Sequence, residues 1–250
     1  MQGAGGTVAP VPLREIFSSI QGEGPYVGCR HLFIRFSACN LSCRYCDTPR
    51  GEPLSCRVEV QPGTGSFVAI PNPLTPEEVG VLIAGIDLGT YHAVSLTGGE
   101  PLLYPDFLKE LVPLLDGSRR GIYLETNGTL PGALEKVLHL VDVIAMDVKL
   151  PSVTGMHPLW AEHRRFLQVA RNKEVFVKAV VVKDTPVHEV VSAAEMAEAA
   201  GALLVLQPVT ACEPERRPTP AELLWLQSKA LEVARDVRVI PQVHRFCGML

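Results

Sequence analysis

The segment CNLSCRYC places three cysteines, Cys39, Cys43 and Cys46, within eight residues of one another. Thiols this close on one loop are poorly placed for disulfides but well placed to hold a metal. Thiolates are soft ligands, which select zinc or an iron–sulfur cluster over hard cations. Because a cubane cluster takes four ligands, three cysteines would leave one iron open to an outside molecule, and an open metal position indicates catalysis.

A structural zinc site is the alternative interpretation, with Cys29, His31 or Cys56 as a further ligand. Such sites usually pair two C-x2-C motifs, and this sequence has only one. A set of unrelated buried cysteines is a second alternative. The spacing therefore favours an iron–sulfur cluster.

Other residues that could do chemistry follow short apolar runs. The sequence TGGEP at 97–101 follows one run, and acidic, amide or basic residues follow others, at 125–128, 147–149, 207–208 and 241–244. If these runs are parallel strands, the residues share the carboxyl edge of one sheet, where parallel α/β folds bind ligands. The sequence therefore predicts a single site, with the three thiols after the first strand.

Seven apolar runs predict the buried strands, at 31–37, 92–96, 121–124, 141–146, 175–182, 203–206 and 237–240. Helical patterns lie between most of them, at 75–86, 106–115, 131–140, 158–171, 186–200 and 220–235. Thr75 and Thr219, each followed by Pro and then Glu, mark two helix starts, and Thr185 gives a weaker third signal. The alternation predicts an α/β fold, either doubly wound or a full or partial (βα) barrel.

One segment breaks the alternation of strands and helices. Residues 50–73 are rich in Pro and Gly and are long for a strand-to-helix connection, so we predict an inserted flap. No repeat or linker is visible in the sequence. The 250 residues are therefore predicted to form a single domain, with a flexible start at residues 1–10.

Composition and charge limit the classes of function. Hydrophobic residues make up 47% of the chain and charged residues 20%, which excludes a disordered or coiled-coil protein. A formal net charge of −4 gives no electrostatic footprint for nucleic acid or an anionic membrane, so we expect a small substrate and no direct partner of either kind. Without a recognisable signal peptide or membrane-length apolar run, the protein is predicted to be cytoplasmic.

The spacing C-x3-C-x2-C, with Tyr45 before the last cysteine, resembles the radical S-adenosylmethionine superfamily, and TGGEP resembles its second motif. The resemblance implies a partial (βα)6-type barrel with a mostly parallel sheet and the active site at its C-terminal edge. It implies a [4Fe-4S] cluster on Cys39, Cys43 and Cys46, with S-adenosylmethionine on the fourth iron. A glycyl-radical enzyme activase of this superfamily and a non-catalytic zinc-binding module are the alternatives in function.

Four further segments, SIQGEG at 19–24, FIRF at 33–36, CDT at 46–48 and PQVH at 241–244, resemble the 7-carboxy-7-deazaguanine synthase family. The resemblance implies a lyase of queuosine and deazapurine biosynthesis, a route that includes tRNA modification. Its reaction converts 6-carboxy-5,6,7,8-tetrahydropterin to 7-carboxy-7-deazaguanine and ammonia through a 5′-deoxyadenosyl radical, with Mg²⁺ and with no catalytic side chain in the first step. The resemblance also implies a homodimer and a reduced flavodoxin or ferredoxin as electron donor.

The same resemblance assigns residues to the parts of the site. Substrate-binding residues are Ile20, Gln21, Gly22, Glu23, Arg35, Thr97, His244 and Leu250. Cofactor-binding residues are Tyr45, Asp47, Gly98, Gly99, Glu100, Asp147, Val148, Lys149, Gln207, Pro208 and Val209. Thr48 is assigned to Mg²⁺, and Glu125 and Asn127 are further candidates. Gly98 and Gly99 should let the backbone approach the cofactor closely, because no Cβ obstructs it.

Several of these residues also fit their roles by their own chemistry. Gln21 and Glu23 offer an amide and a carboxylate to the donor and acceptor edge of a pterin, with a solvated turn as the alternative. Arg35 lies in an apolar strand, so it should face a carboxylate, either the substrate's or that of a structural salt bridge. Thr48 has a hard hydroxyl oxygen suited to Mg²⁺, with a helix cap as the alternative.

Overall fold

In the computed structural model, which describes residues 8–46, 48–49, 51–210 and 214–250, ten strands form one sheet. The strands are β1 (Leu13–Ile20), β2 (Arg30–Phe36), β3 (Ser55–Glu59), β4 (Phe67–Pro71), β5 (Ala93–Gly98), β6 (Ile122–Thr126), β7 (Val143–Val148), β8 (Glu174–Val181), β9 (Leu203–Pro208) and β10 (Val237–Val239). Their order across the sheet is β10-β9-β8-β7-β6-β5-β2-β1-β3-β4. The sheet is open, with β10 and β4 at its edges.

Seven of the strands, β2 and β5 to β10, run parallel and coincide with the seven apolar runs of the sequence. The predicted α/β class with a mostly parallel sheet is therefore confirmed. A doubly wound sheet carries helices on both faces, whereas here the buried apolar residues of the described helices all belong to one core on one face, as in a partial barrel.

Helices follow most of the parallel strands and pack on one face of the sheet. They are α1 (Pro76–Ile83), α2 (Pro105–Leu111), α3 (Pro131–Val137), α4 (Pro151–Thr154), α5 (Trp160–Ala170), α6 (Val187–Ala199), α7 (Pro220–Leu231) and α8 (Val243–Phe246). Thr75 and Thr219 form capping boxes, as predicted. The third of these helices, α6, does begin next to its predicted start, but the cap is wrong, because the Thr185 hydroxyl bonds to the backbone of Val182 and leaves α6 without a side-chain cap. None of the described helices combines the length and apolarity needed to cross a membrane.

Strands β1, β3 and β4 are absent from the sequence-based prediction. Strand β1 pairs antiparallel with β2 and parallel with β3, and β3 and β4 form a hairpin within the predicted flap. The sequence of β1, LREIFSSI, mixes charged and apolar residues, so it is not an apolar run. The hairpin strands are only five residues each. The flap therefore extends the sheet by two strands.

The alternation of side chains along the parallel strands determines which of them enter the site. One set, which includes Ile34 and Leu96, packs in the main core under the helices. The other set points to the opposite face, called here the inner face, where Tyr123 and Phe176 belong to a small apolar cluster. Toward the carboxyl ends of the strands the inner-face residues become polar, and they form the walls of the site.

Candidate active site

A cavity of about 760 Å³ lies at the carboxyl ends of the parallel strands. Successive strands each contribute one polar inner-face side chain to its wall. These are Arg35 on β2, Thr97 on β5, Glu125 on β6, Asp147 on β7, Lys178 on β8 and Gln207 on β9. The period of two in the strands therefore gathers charged and polar groups around one space, at the edge that the sequence predicts.

The three cysteines of the loop after β2 are free thiols, and all of them line this cavity. Burial raises the pKa of Cys39 and of Cys43, so metal binding must displace a proton from each thiol. Within the described residues, no three His, Cys, Asp or Glu side chains converge closely enough to share a single metal ion. Three soft ligands on one cavity wall fit a cluster of several irons.

Hydrogen bonds anchor the cysteine loop to the end of β6. The Asn127 amide donates to Asn40 Oδ1 at 2.8 Å and lies 3.8 Å from Cys39 Sγ. Asn40 in turn donates to the Thr129 hydroxyl at 2.9 Å. Asn127, a candidate from the sequence, therefore fixes the loop that carries Cys39, and its amide can donate to a metal-bound thiolate.

Gly98 and Gly99 are required by close packing between two loops. Gly98 has a φ of +100°, and a Cβ on Gly99 would lie 1.9 Å from the carbonyl oxygen of Ala38. The Gly99 amide also donates to the carbonyl of Phe36 at 2.9 Å. Both glycines line the cavity. The backbone that packs closely against them is the start of the cysteine loop, and the sequence does not predict this contact.

Glu100 lies behind the cavity wall, and its assignment as a cofactor-binding residue stays a prediction. It is fully buried, and the described lining of the cavity does not include it. Its carboxylate accepts hydrogen bonds of 2.8 to 3.0 Å from the backbone of Leu102 and Asn127 and from the Thr126 hydroxyl. Burial raises the pKa of Glu100 to about 7. Glu100 therefore joins the TGGEP turn to the end of β6 and supports the site from outside.

The assignment of two further residues to the cofactor also stays a prediction. Val148 and Pro208 directly follow Asp147 and Gln207, and alternation along a strand turns neighbouring side chains to opposite faces. Val148 is fully buried in the main core. Neither Val148 nor Pro208 belongs to the cavity lining in the described part of the chain. Asp47, also predicted at the cofactor, lies outside the described residues.

Asp147, Lys149 and Tyr45 form a charged group in the cavity. Lys149 Nζ lies 2.9 Å from Asp147 Oδ2 and donates to the Tyr45 hydroxyl at 3.2 Å. Burial lowers the pKa of Lys149, but the charges of Asp147, Tyr45 and Cys43 and the hydrogen bond to Asp147 together outweigh it and keep that pKa well above its usual value. Asp147 Oδ1 and Gln207 Oε1 are buried with no donor among the described residues. Two such acceptors on one cavity wall fit a ligand that brings hydroxyl or amino donors.

Three donors hold Glu23 in the cavity. Its Oε1 accepts from Gln242 at 2.7 Å and from Gln207 at 3.1 Å, and its Oε2 pairs with Lys178. Burial raises the pKa of Glu23, but the charge of Lys178 and the hydrogen bonds together have a larger, opposite effect and lower the pKa to about 2. Glu23 is therefore a mostly buried, ionised carboxylate and not part of a solvated turn.

Gln21 and Thr97 meet at Glu125. Gln21 Nε2 donates to Glu125 Oε1 at 2.8 Å, and the Thr97 hydroxyl donates to Oε2. Burial, and then the charge of Glu23, raise the pKa of Glu125. The cavity therefore holds two neighbouring carboxylates in different states, with Glu23 kept ionised and Glu125 more ready to take up a proton.

Arg35 fulfils one predicted role and leaves the other open. Its Nε pairs with Glu15 on β1 at 2.8 Å, so the structural salt bridge exists. The guanidinium also lines the cavity, and its two terminal nitrogens have no hydrogen bond to any described residue. A ligand carboxylate can therefore still bind to Arg35 in the geometry that a guanidinium offers.

The C-terminal segment contributes to the cavity wall. A Cβ on Gly22 would lie 1.9 Å from Nδ1 of His244, so Gly22 makes room for that ring. The Ser19 hydroxyl donates to the carbonyl of Leu250 at 3.0 Å. Ile20, Gly22, His244 and Leu250 all line the cavity, at the place where they are predicted to bind substrate.

Lys178 and Gln242, which both bond to Glu23, are missing from the predicted site, although Gln242 belongs to one of the motifs. Both side chains line the cavity, together with the predicted Thr48 and Val209. Lys178 lies within the apolar run 175–182. A lone charge in a buried strand is the signal that identified Arg35, and the same criterion would have found Lys178.

A sequence model of the radical SAM superfamily matches residues 33–198. The chain is 43% identical over 244 residues to a 7-carboxy-7-deazaguanine synthase of Geobacter sulfurreducens, which covers 95% of this chain and 97% of the relative. It is 39% identical over 257 residues to a 7-carboxy-7-deazaguanine synthase of Methanopyrus kandleri, which covers 99% of each chain. These relatives match the chain over nearly its whole length.

Solved structures share the fold. The crystal structure of QueE from Escherichia coli matches with a TM-score of 0.60 at 20% identity, over 94% of each chain. A radical SAM methyltransferase from Sphaerobacter thermophilus matches with a TM-score of 0.57 at 15% identity, over 84% of this chain and 66% of that one. At these identities the likeness concerns the fold alone.

Proposed function

The chain belongs to the radical SAM superfamily and, within it, to the 7-carboxy-7-deazaguanine synthases, and from this premise we propose how its cavity serves the reaction. It is a lyase of deazapurine biosynthesis that acts on a pterin. We take the substrate to be 6-carboxy-5,6,7,8-tetrahydropterin, which rearranges to 7-carboxy-7-deazaguanine with loss of ammonia and therefore needs no net oxidant. The activase and zinc-module alternatives are set aside because the nearly full-length relatives are synthases.

One observation supports the location of the reaction most strongly. Three free thiols and a ring of polar inner-face side chains line the same cavity, whose volume of about 760 Å³ suits a cofactor and a small substrate together. The apolar rings of Phe17 and Phe33, stacked with centroids 5.1 Å apart, line it as well. Such a cavity can hold a pterin and exclude water from it.

Residues at the cysteine side would hold the cofactors. Cys39, Cys43 and Cys46 would bind the [4Fe-4S] cluster, since soft thiolates are its usual ligands. The unpartnered oxygens of Asp147 and Gln207 suit the ribose hydroxyls and the adenine amino group of S-adenosylmethionine. When bound, the cluster and S-adenosylmethionine supply the hydrogen abstraction that protein side chains cannot perform.

The remaining side chains bind and orient the substrate. Gln21, Glu23 and Thr97 place an amide, a carboxylate and a hydroxyl in the cavity, and these groups match the mixed donors and acceptors of a pterin ring. Held in this way, the substrate carbon that loses hydrogen can stay close to the cofactor through the first step. No side chain has to act as a base in that step.

Arg35 is proposed to bind the substrate carboxylate through its terminal nitrogens. Replacing Arg35 with Ala should raise the KM for the pterin by about 10-fold or more, because a charge-assisted hydrogen bond contributes about 1.5 to 3 kcal/mol. Steady-state kinetics on anaerobically loaded protein measures this change.

Glu15→Gln is the matched control, because it disturbs the same salt bridge but keeps the guanidinium. We expect it to lower thermal stability while the KM changes by less than about 3-fold. If Arg35→Ala lowers stability equally and leaves the KM unchanged, Arg35 has only a structural role.

Thr48 is proposed to give its hydroxyl oxygen to Mg²⁺. It lies on the cavity wall two residues after Cys46, and Mg²⁺ prefers hard oxygen ligands and few of them from the protein. Thr48→Ala should raise the Mg²⁺ concentration for half-maximal rate by about 10-fold, a change expected for one lost ligand. Thr48→Ser, which keeps the hydroxyl, should behave like the wild type, and an identical Mg²⁺ titration for all three proteins would remove Thr48 from the metal site.

The family resemblance also supports proposals for the partners of the enzyme. We propose a reduced flavodoxin or ferredoxin as the electron donor, a homodimer as the active form, and the cytoplasm as its location. Size-exclusion chromatography with light scattering should give the mass of a dimer, and the mass of a monomer would contradict the proposed homodimer.

Anaerobic turnover tests the proposed function as a whole. Protein loaded with iron and sulfide is incubated with reductant, Mg²⁺, S-adenosylmethionine and 6-carboxy-5,6,7,8-tetrahydropterin. We expect 7-carboxy-7-deazaguanine and ammonia in equal amounts, with S-adenosylmethionine still intact after many turnovers. Absence of the deazaguanine product from fully loaded protein would contradict the proposal.

A further inference from the structure

Lys178 is a buried cation that joins the two parts of the cavity. It lies on β8, and 14% of its side chain is exposed. Its ammonium nitrogen pairs with Glu23, which lies among the residues predicted to bind substrate. The same nitrogen lies 3.2 Å from Asp147, which lies among the residues predicted to bind the cofactor. Burying this lysine costs free energy by desolvation, so its role follows from the charges that offset that cost.

The charges around Lys178 show what that role can be. Three carboxylates of this cavity, Glu23, Glu125 and Asp147, interact electrostatically with Lys178. Lys149 pairs with Asp147, and the charge of His244 also acts on Glu23. Burial raises the pKa of Glu23, and the charge of Lys178 makes the largest contribution in the opposite direction. Without Lys178, Glu23 would be buried close to other carboxylates and would tend to take up a proton.

An ionised Glu23 still has capacity for a ligand. A carboxylate can accept about four hydrogen bonds, and the described residues make three of them, from Gln242, Gln207 and Lys178. The remaining acceptor position can receive an N–H group of the aminopyrimidinone edge of a pterin. A protonated Glu23 would instead offer a hydroxyl donor and would fit that edge poorly.

We infer that Lys178 is a positioning residue that acts through Glu23, keeping this carboxylate charged and oriented so that it accepts a hydrogen bond from the aminopyrimidinone edge of the substrate. The inference rests on the proposed function, since it takes the ligand of Glu23 to be a pterin. Lys178 thereby sets the affinity for substrate, and Lys149 serves the cofactor side.

A double-mutant cycle of Lys178→Met and Glu23→Gln tests this role. Each single variant should raise the KM for the pterin by about 10-fold or more, with a change of less than about 3-fold in the dissociation constant of S-adenosylmethionine. Because both variants remove the same interaction, the double variant should be no worse than the poorer single one. Equilibrium dialysis of S-adenosylmethionine, iron content and thermal unfolding are measured on the same loaded preparations.

Lys149→Met is the matched control, since it removes a buried lysine that pairs with Asp147 but not with Glu23. It should weaken S-adenosylmethionine binding more than it raises the pterin KM. If Lys178→Met does not fold, Lys178→Gln takes its place in the cycle.

Additive losses in the cycle, or an unchanged KM for a folded Lys178 variant, would overturn the inference. A wild-type protein that turns over the pterin while the cycle is additive contradicts only the role of Lys178. A wild-type protein without turnover contradicts the proposed function itself.

Discussion

Replacing Cys43 with Ala is expected to leave the purified protein colourless and unable to hold its cluster. The three thiols come from one loop, and no other cysteine of the described residues lines the cavity to replace a lost ligand. With two ligands left, iron per chain should fall from about four to below about one. Turnover should fall by more than about 100-fold, since even loss of a residue that only supports a ligand costs 10- to 100-fold. Iron and sulfide analysis with visible absorbance measures the loss of the cluster.

Cys247→Ala is the control for this prediction. Cys247 is an exposed free cysteine outside the cavity lining in the described residues. Its replacement should leave iron content and turnover unchanged. A Cys43→Ala protein that still binds about four irons per chain would show that the ligands have been assigned wrongly.

Gly99→Ala should produce the second large effect, on stability as well as on cluster loading. The new Cβ would lie 1.9 Å from the carbonyl oxygen of Ala38, and backbone cannot move aside as a flexible side chain can. We expect a loss of about 3 kcal/mol or more in the free energy of unfolding. The turn before Cys39 must shift to relieve the clash, so iron content should fall as well. Denaturant unfolding and iron analysis on the same preparation measure both effects.

Gly132→Ala is the matched control, because it makes the same glycine-to-alanine change at a position where the new methyl group does not clash. Gly132 lies in helix α3, where an added methyl group would meet no described atom within 4 Å, and Ala is the better helix former. This variant should be as stable as the wild type or up to about 1 kcal/mol more stable. Equal stability of the Gly99→Ala and Gly132→Ala proteins would contradict the packing role of Gly99.

The parallel part of the fold could be predicted because its strands are buried on both faces. Strand β8, for example, reads EVFVKAVV, and such apolar runs separated by helical patterns allow few arrangements. Polar residues at the ends of the runs then have to share one edge of the sheet. The location of the site therefore follows from the order of strands and helices alone.

Strand β1 and the hairpin β3–β4 could not be predicted in the same way. Strand β1 carries Glu15, a buried carboxylate that pairs with Arg57 on β3 and, at 2.8 Å, with Arg35 on β2. Arg35 lies next to Glu15 because β1 and β2 pair antiparallel, and neither segment on its own carries a sequence signal for that pairing. The hairpin is short, and its position beside β1 depends on the rest of the sheet.

Within the site, the motifs of the sequence indicate where the cavity lies, and the packing decides which of their side chains line it. TGGEP does lie at the cavity, but Glu100 supports the end of β6 from behind, and Gly99 packs against the cysteine loop. Val148 and Pro208 belong to motifs whose alternate residues face the cavity. Strand alternation, applied residue by residue, separates the side chains that line the cavity from those that support it.

The most direct test of a cluster with one open iron is the electron paramagnetic resonance spectrum of the reduced protein, recorded before and after S-adenosylmethionine is added. If three cysteines leave one iron open in this cavity, the spectrum should change and the change should saturate as S-adenosylmethionine is titrated. A spectrum that stays the same at saturating S-adenosylmethionine, in protein with about four irons per chain, would mean that a fourth side chain closes the cluster, and it would contradict the proposed chemistry.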